Sequence, residues 1–176
     1  MPASRTAGRQ TGRTTKPVRT IRTEDALAHL RRDHEQTQGL YEGFQTAGGD
    51  DRYFLASRII RALEQHASLE EELFYPVILE RANARNQGGA AEAVRAALKE
   101  HQEARRRITR IKDMLAHDEG YQVHLEDLME CVGRHVEEEE GQLFPLAKAL
   151  LSDDELMQLG SDFRRMKPEG DARFAA

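Results

Sequence analysis

The segment that decides the fold is His66-Ala-Ser-Leu-Glu-Glu-Glu-Leu-Phe-Tyr-Pro76, because a later segment, His135-Val-Glu-Glu-Glu-Glu-Gly-Gln-Leu-Phe-Pro145, repeats its pattern. Aligned without a gap, the two segments share the first His, two consecutive Glu and the final Pro. Residues four apart lie on the same face of an α-helix, one turn apart. The repeat therefore predicts two helices that each present a His-x-x-x-Glu pair, made of His66 and Glu70 in one copy and of His135 and Glu139 in the other.

A lone His precedes each copy at nearly the same distance, His34 before the first and His101 before the second, and each follows an acidic residue. The chain thus consists of two matching helix pairs. Four imidazoles and two carboxylates inside a bundle would be costly to bury without a charge partner, and two metal ions remove that cost. We therefore expect the following residues to bind two metal ions: His34, His66, Glu70, His101, His135 and Glu139.

The donor set suits iron. Two bridging Glu and two His per ion provide four donors each, and an oxo or hydroxo bridge provides a fifth, which leaves one position open. Imidazole and carboxylate donors also suit manganese and zinc, so they do not select one metal. The expected cofactor is two oxo- or hydroxo-bridged iron ions, with other divalent metals as alternatives. With only two Glu the site is cationic, which favours anionic oxygen species such as superoxide or peroxide.

The pattern outside the repeat predicts an all-α chain. The sequence is rich in Ala, Leu, Glu and Arg, has no Trp, and shows no sustained two-residue alternation. Four long helices with short connections predict an up-down-up-down four-helix bundle. The expected helices are bounded by Thr23 and Gly48, by Asp50 and Asn86, by Gly88 and Asp118, and by Tyr121 and Leu151.

A short fifth helix is expected after the bundle, because Ser152 and Glu155 form a capping box. This helix extends to Met166 and either folds back over the bundle or makes a dimer contact, and we favour folding back. Pro76 and Pro145 fall inside helical pattern, so we expect them to kink or break their helices.

Three regions follow: a disordered basic arm (1–22), the four-helix bundle (23–151), and a short C-terminal helix with a tail (152–176). The arm has six Lys/Arg and no acid, which leaves 20 basic and 31 acidic residues elsewhere. A transit-type peptide or an anion-binding tail is an alternative interpretation of the arm. The acidic body makes nucleic acid an unlikely partner. The sequence has no apolar run of membrane-spanning length, so we expect no membrane partner. Its single cysteine fits a reducing compartment, and we expect a cytoplasmic protein. The expected oligomeric state is a monomer or a homodimer.

At the ligand positions, the sequence resembles the hemerythrin-like (HHE cation-binding) family over residues 24–150. This resemblance implies a non-haem di-iron centre with two bridging carboxylates that meets dioxygen, peroxide or nitric oxide. The oxygen-carrying hemerythrins have a fifth His one turn past the lone His of the third helix, and an Asp as the last carboxylate. Here these positions are Arg105 and Glu139, so the chain is more similar to the symmetric bacterial-type branch, which favours redox turnover.

The predicted function is binding of, or reaction with, a small oxidant at open iron positions, with catalase- or peroxidase-like activity as one form of it. Reversible oxygen binding, or iron binding and sensing without turnover, is the alternative. Tyr41, two turns after His34, and Cys131, one turn before His135, are candidates to line the pocket, although inert packing would also explain both.

Several other polar and aromatic residues are given a structural interpretation. Glu71 and Glu140 recur in both copies but point away from the metals, so we expect outer or solvent contacts. Tyr75 is expected to pack the end of the bundle, as is Phe144. His29 has no partner at ligand spacing and is interpreted as a surface residue.

Overall fold

The computed structural model describes residues 24–115 and 118–167. The predicted basic arm and the tail after residue 167 lie outside the described residues. All regular structure in the described part is helical, which confirms the predicted class. The α-helices are α1 (Ala26–Thr46), α2 (Gly49–Leu69), α3 (Tyr75–Ala84), α4 (Gly88–Lys112), α5 (Tyr121–Glu138), α6 (Phe144–Leu150) and α7 (Asp153–Met166).

The four bundle helices are α1, then α2 continued by α3, then α4, then α5 continued by α6. They follow one another antiparallel, with contacts between α1 and α2, α3 and α4, and α4 and α5. This is the predicted up-down-up-down bundle. Helix α4 ends at Lys112, earlier than expected, and Gly120 precedes α5 with a φ of 90°, a backbone conformation that favours glycine. None of the described helices has the length and hydropathy required to span a bilayer.

A π-helical turn joins the two parts of each interrupted helix, at Glu70–Phe74 and at Glu139–Leu143. In each turn the backbone N–H five residues after the Glu donates to its carbonyl. The next residue is Pro76 or Pro145, which has no N–H and whose ring would clash with the carbonyl four residues before it. Widening the helix by one residue removes this clash. The expected interruption therefore occurs, but it begins at the Glu that the two copies of the repeat share, and the helix continues beyond it.

Helix α7 folds back onto the start of α1, as favoured above. The Ser152–Glu155 capping box is present in both directions, and the α7 side chains Leu156, Leu159 and Phe163 are buried. Gly160 lies directly on the first residues of α1, because a Cβ there would be 2.9 Å from the carbonyl carbon of Asp25. Close approach of the two helices therefore depends on the absence of a side chain at this position.

Two apolar clusters fill the bundle. One contains α3, α6, α7 and the start of α1, with Leu30, Phe74 and Phe144 fully buried. The other lies toward the opposite end and includes Phe44 and Leu125. The predicted ligands lie in the polar layer between these clusters. The apolar side chains on either side therefore shield the carboxylates of Glu70 and Glu139 from water.

Candidate metal centre

The six predicted ligands converge in the interior of the bundle. The carboxylates are the most deeply buried, with Glu70 0% and Glu139 2% exposed. The imidazoles of His66, His101 and His135 are buried, and the side chain of His34 is 8% exposed. The helical repeat therefore places all six on inward faces, as the sequence predicts.

These side chains form two groups of potential metal ligands that share Glu70. In the first group, the Nε2 atoms of His34 and His66 are 3.1 Å apart, and His66 Nε2 lies 3.3 Å from Glu70 Oε1. In the second, the Nε2 atoms of His101 and His135 are 3.3 Å apart, and His101 Nε2 lies 3.1 Å from Glu70 Oε2. The two oxygens of one carboxylate thus face different imidazole pairs.

Glu139, from the other copy of the repeat, belongs to the first group. Its Oε2 lies 3.4 Å from His34 Nε2 and 4.0 Å from His135 Nε2. Both of its carboxylate oxygens, and Oε1 of Glu70, are buried without a hydrogen-bond donor. Buried carboxylate oxygens without a partner are costly, so the cluster fits a bound cation that would satisfy them.

Acidic side chains hydrogen-bond to the outer nitrogens of three of the four imidazoles. His34 Nδ1 lies 2.8 Å from Glu140, and His101 Nδ1 lies 2.7 Å from Glu71. His135 Nδ1 lies 2.9 Å from a carboxylate oxygen of Glu100.

The fourth imidazole has a looser contact, since His66 Nδ1 lies 3.6 Å from Asp33 Oδ2, too far for a hydrogen bond. A carboxylate on Nδ1 fixes the ring orientation and leaves Nε2 as the lone-pair donor that a metal requires. Glu71 and Glu140 thus make the outer contacts expected of them. The acid before each lone His serves the other His of its own helix pair, which the sequence pattern does not reveal.

The electrostatics of the cluster show a demand for positive charge. Burial and the neighbouring Glu70 carboxylate hold the pKa of Glu139 well above its usual range. Burial would lower the pKa of His66, but the carboxylates of Glu70 and Asp33 outweigh it and raise this pKa to about 9. Burial and the nearby charge of His66 lower the pKa of His34 to about 4. A bound cation would offset the repulsion between the two buried carboxylates that raises the pKa of Glu139.

Tyr75 is a site residue that sequence reasoning missed. It packs in the apolar cluster as expected, but its hydroxyl donates to Glu70 Oε2 at 3.2 Å and lies 3.5 Å from His101 Nε2. The π-turn after Glu70 brings the residue five positions later over that carboxylate. The matching residue of the other copy is Phe144, which stacks on His34 at 6.2 Å and has no hydroxyl. The Pro that follows each aromatic residue was the available signal for this irregular turn.

A cavity of about 470 Å³ adjoins the site, and all four imidazoles line it, whereas Glu70 and Glu139 do not. Cys131, one of the two residues named as candidates to line the pocket, does line this cavity. Tyr41, the other candidate, is not among the residues that line this cavity, and its ring stacks on Phe44 at 6.2 Å, which fits the inert packing given as its alternative. Two helical turns separate Tyr41 from His34, which places it at the level of the second apolar cluster.

Two further side chains differ from simple expectation. Arg105, where an oxygen carrier has a His, extends from the rim and donates to both carboxylate oxygens of Glu71 at 2.7 Å. It therefore supports the acid that holds His101.

His29 is 2% exposed and not a surface residue, because Phe163 of α7 packs edge-on against it at 5.6 Å. Only the folding back of α7 produces this burial.

Comparison with known proteins agrees with this geometry. Residues 25–147 match the model of the hemerythrin HHE cation-binding domain. An uncharacterized hemerythrin-like protein of Schizosaccharomyces pombe is 27% identical over 157 residues, which cover 86% of this chain and 74% of the relative. The crystal structure of a hemerythrin HHE cation-binding-domain protein from Mycobacterium kansasii has the same fold, with a TM-score of 0.69 and 22% identity over 81% of this chain and 85% of the other. Because this family model matches most of the chain, the chain belongs to the hemerythrin HHE cation-binding domain family.

Proposed function

We propose that this chain binds two iron ions and that the bound pair reacts with a small oxidant, a peroxide foremost. The observation that carries the proposal is the sharing of Glu70 between two imidazole pairs. One carboxylate with its two oxygens directed at different pairs of Nε2 atoms is the arrangement that a bridging ligand requires. A single-metal site would leave one imidazole pair without a cation.

The donor chemistry supports iron. Four neutral imidazoles and two carboxylates give a softer and less anionic set than the four-carboxylate sites of ferritin-like bundles. Two divalent ions would therefore give the centre a net positive charge, which stabilises negative charge that develops on a bound peroxide. When bound, two ferrous ions supply two electrons, the number that reduction of one peroxide consumes.

The surroundings favour reaction over reversible carriage. Each half of the site has the same pair of imidazoles, and the cavity reaches both pairs. The cavity therefore borders both proposed metal positions. The carboxylates on Nδ1 orient the imidazoles before a metal binds, so little reorganisation accompanies loading.

Metal analysis tests the first half of the proposal. The full-length chain, purified after growth in iron-rich medium, is expected to contain about two iron ions per chain. His66→Ala removes one Nε2 donor and leaves Glu70 buried beside it, so we expect loss of most of the iron and a lower melting temperature. His124→Ala, at a half-buried position near the start of α5 and outside the ligand cluster, is the matched control and should retain both ions. Full iron content in His66→Ala would contradict the ligand assignment.

Peroxide addition tests the second half. Hydrogen peroxide is mixed with anaerobic, ferrous-loaded protein. We expect it to oxidise the bound iron, which is monitored by absorbance in the near ultraviolet. Oxygen release over many equivalents of peroxide would establish catalase-like turnover. A colour change that reverses when dioxygen is removed, with no peroxide consumption, would replace this proposal by reversible oxygen binding.

A further inference from the structure

The cavity beside the site is much larger than a small oxidant requires. Its volume of about 470 Å³ compares with roughly 30 Å³ for a water molecule in the liquid, and a diatomic oxidant is of the same order. An apolar protein cavity of roughly 150 Å³ already accepts benzene. Pockets for organic ligands begin at about 300 Å³. The space at this site is therefore that of an organic molecule.

The inner part of the cavity is apolar. Away from the predicted ligands, its lining comes from three helices and is formed by Leu63, Ala104, Ile108, Met129 and Val132. These residues belong to, or pack against, the apolar cluster on the far side of the site. A molecule that fills this part would lie with one end at the imidazoles and the other among aliphatic side chains. Burial of that end would stabilise binding in proportion to its apolar area.

The exposed rim of the cavity carries negative charge. Glu35 and Glu137 are exposed and line it. The basic residue of the rim, Arg105, already pairs with Glu71. A rim of this charge disfavours entry of a carboxylate such as a fatty acid anion and does not hinder an uncharged molecule. The cavity therefore favours an uncharged ligand with an apolar body.

We propose that the cavity binds an organic hydroperoxide, with its peroxide group at the imidazole side of the metal centre and its apolar part among the aliphatic residues. This inference rests on the proposed function and specifies its substrate class. Reduction breaks the O–O bond, consumes two protons from solvent and two electrons, and yields an alcohol and water. The electrons come from two bound ferrous ions, which become ferric.

The binding test uses iron-loaded, full-length protein and cumyl alcohol, the unreactive alcohol that corresponds to cumene hydroperoxide. Calorimetric titration is expected to show one molecule bound per chain. Ala104→Leu fills the apolar part of the cavity, and we expect it to weaken this binding at least tenfold. Ala96→Leu adds the same atoms on the exposed face of the same helix and should bind like the wild type. Val132→Phe fills the cavity from the facing helix and replaces Ala104→Leu if that variant loses its iron.

The reaction test mixes anaerobic, ferrous-loaded protein with cumene hydroperoxide or with hydrogen peroxide. The wild type is expected to be oxidised faster by cumene hydroperoxide, and the ratio of the two rates is expected to fall in the filled variant. Absence of cumyl alcohol binding, equal binding by Ala104→Leu, or tighter binding of octanoate would overturn this inference. If hydrogen peroxide still oxidises the protein in those cases, the proposed function survives. Iron-loaded protein that neither peroxide oxidises would instead overturn the proposed function.

Discussion

Replacing Gly160 by Ala tests whether α7 is an integral part of the structure that holds the site. A Cβ at this position would lie 2.9 Å from the carbonyl carbon of Asp25 and 3.0 Å from the backbone N of Ala26. Both atoms belong to the capped start of α1, where Asp25 accepts from the N–H of Ala28 at 2.8 Å. Backbone atoms cannot rotate away as a side chain can. Helix α7 must therefore move away from α1.

The expected cost follows from two opposing effects. Overpacking against rigid atoms costs about 1–3 kcal/mol. An Ala in a helix interior recovers up to about 1 kcal/mol relative to Gly. Displacement of α7 also loosens its buried side chains, among them Phe163, which is fully buried. We expect a net decrease of about 1–2 kcal/mol in the free energy of unfolding and, for a chain of this size, a melting temperature lower by about 3–6 °C.

The assay is urea denaturation of the metal-free protein, followed by circular dichroism. Gly39→Ala is the matched control, because Gly39 also lies inside a helix and a Cβ there would meet nothing within 4 Å. This control should be stabilised by up to about 1 kcal/mol. The two substitutions are thus expected to have opposite signs. A Gly160→Ala variant as stable as Gly39→Ala would refute the packing of α7 on α1.

Three further predictions concern side chains near the site or its supporting helix. Tyr75→Phe removes the hydrogen bond to Glu70, so the unfolding free energy of the metal-free protein should fall by about 1–2 kcal/mol, as measured by urea denaturation. Lys167→Met removes the ammonium that lies 2.7 Å from both oxygens of the buried Asp33, and a decrease of about 1–3 kcal/mol in the same assay is expected. The backbone N–H of the helix cap, with nearby Arg and Ser side chains, holds the pKa of Glu155 at about 2, below its ordinary 4.5. Its contribution is therefore complete above pH 4.5 and lost as the pH falls through 2, and Glu155→Gln should differ from the wild type at pH 7 but not near pH 2.

Each of these predictions has a control or an opposing outcome. Tyr53→Phe removes a half-exposed hydroxyl and should leave the unfolding free energy within about 0.5 kcal/mol of the wild type. Lys148→Met, at an exposed position of α6, is the control for the Lys167 variant. Equal stability of either test variant and its control would show that the contact contributes nothing. A pH-independent difference for Glu155→Gln would mean that its charge is not the stabilising feature.

Much of the metal cluster was predictable because it depends on local periodicity. The four-residue spacing of His66 and Glu70 places them on one helical face in any α-helix. His135 and Glu139 have the same spacing and therefore also share one face. The outer hydrogen bonds were less accessible. Glu71 contacts His101 across the bundle, and that pairing depends on how α2 and α4 rotate against each other. The role of Tyr75 required the π-turn, since regular α-helical geometry would direct it elsewhere.

The sequence by itself determined the helical class, the order of the helices and the six convergent ligands, because hydrophobic period, glycine breaks and an internal repeat are properties of short segments. Only the tertiary structure decided the burial of His29 beneath α7, the position of Tyr41 outside the cavity, and the apolar space beside the imidazoles. These features depend on distances between residues far apart in the chain, which helix rotation and packing set. A cavity in particular is the volume that packing leaves unfilled, and no segment of sequence encodes it alone.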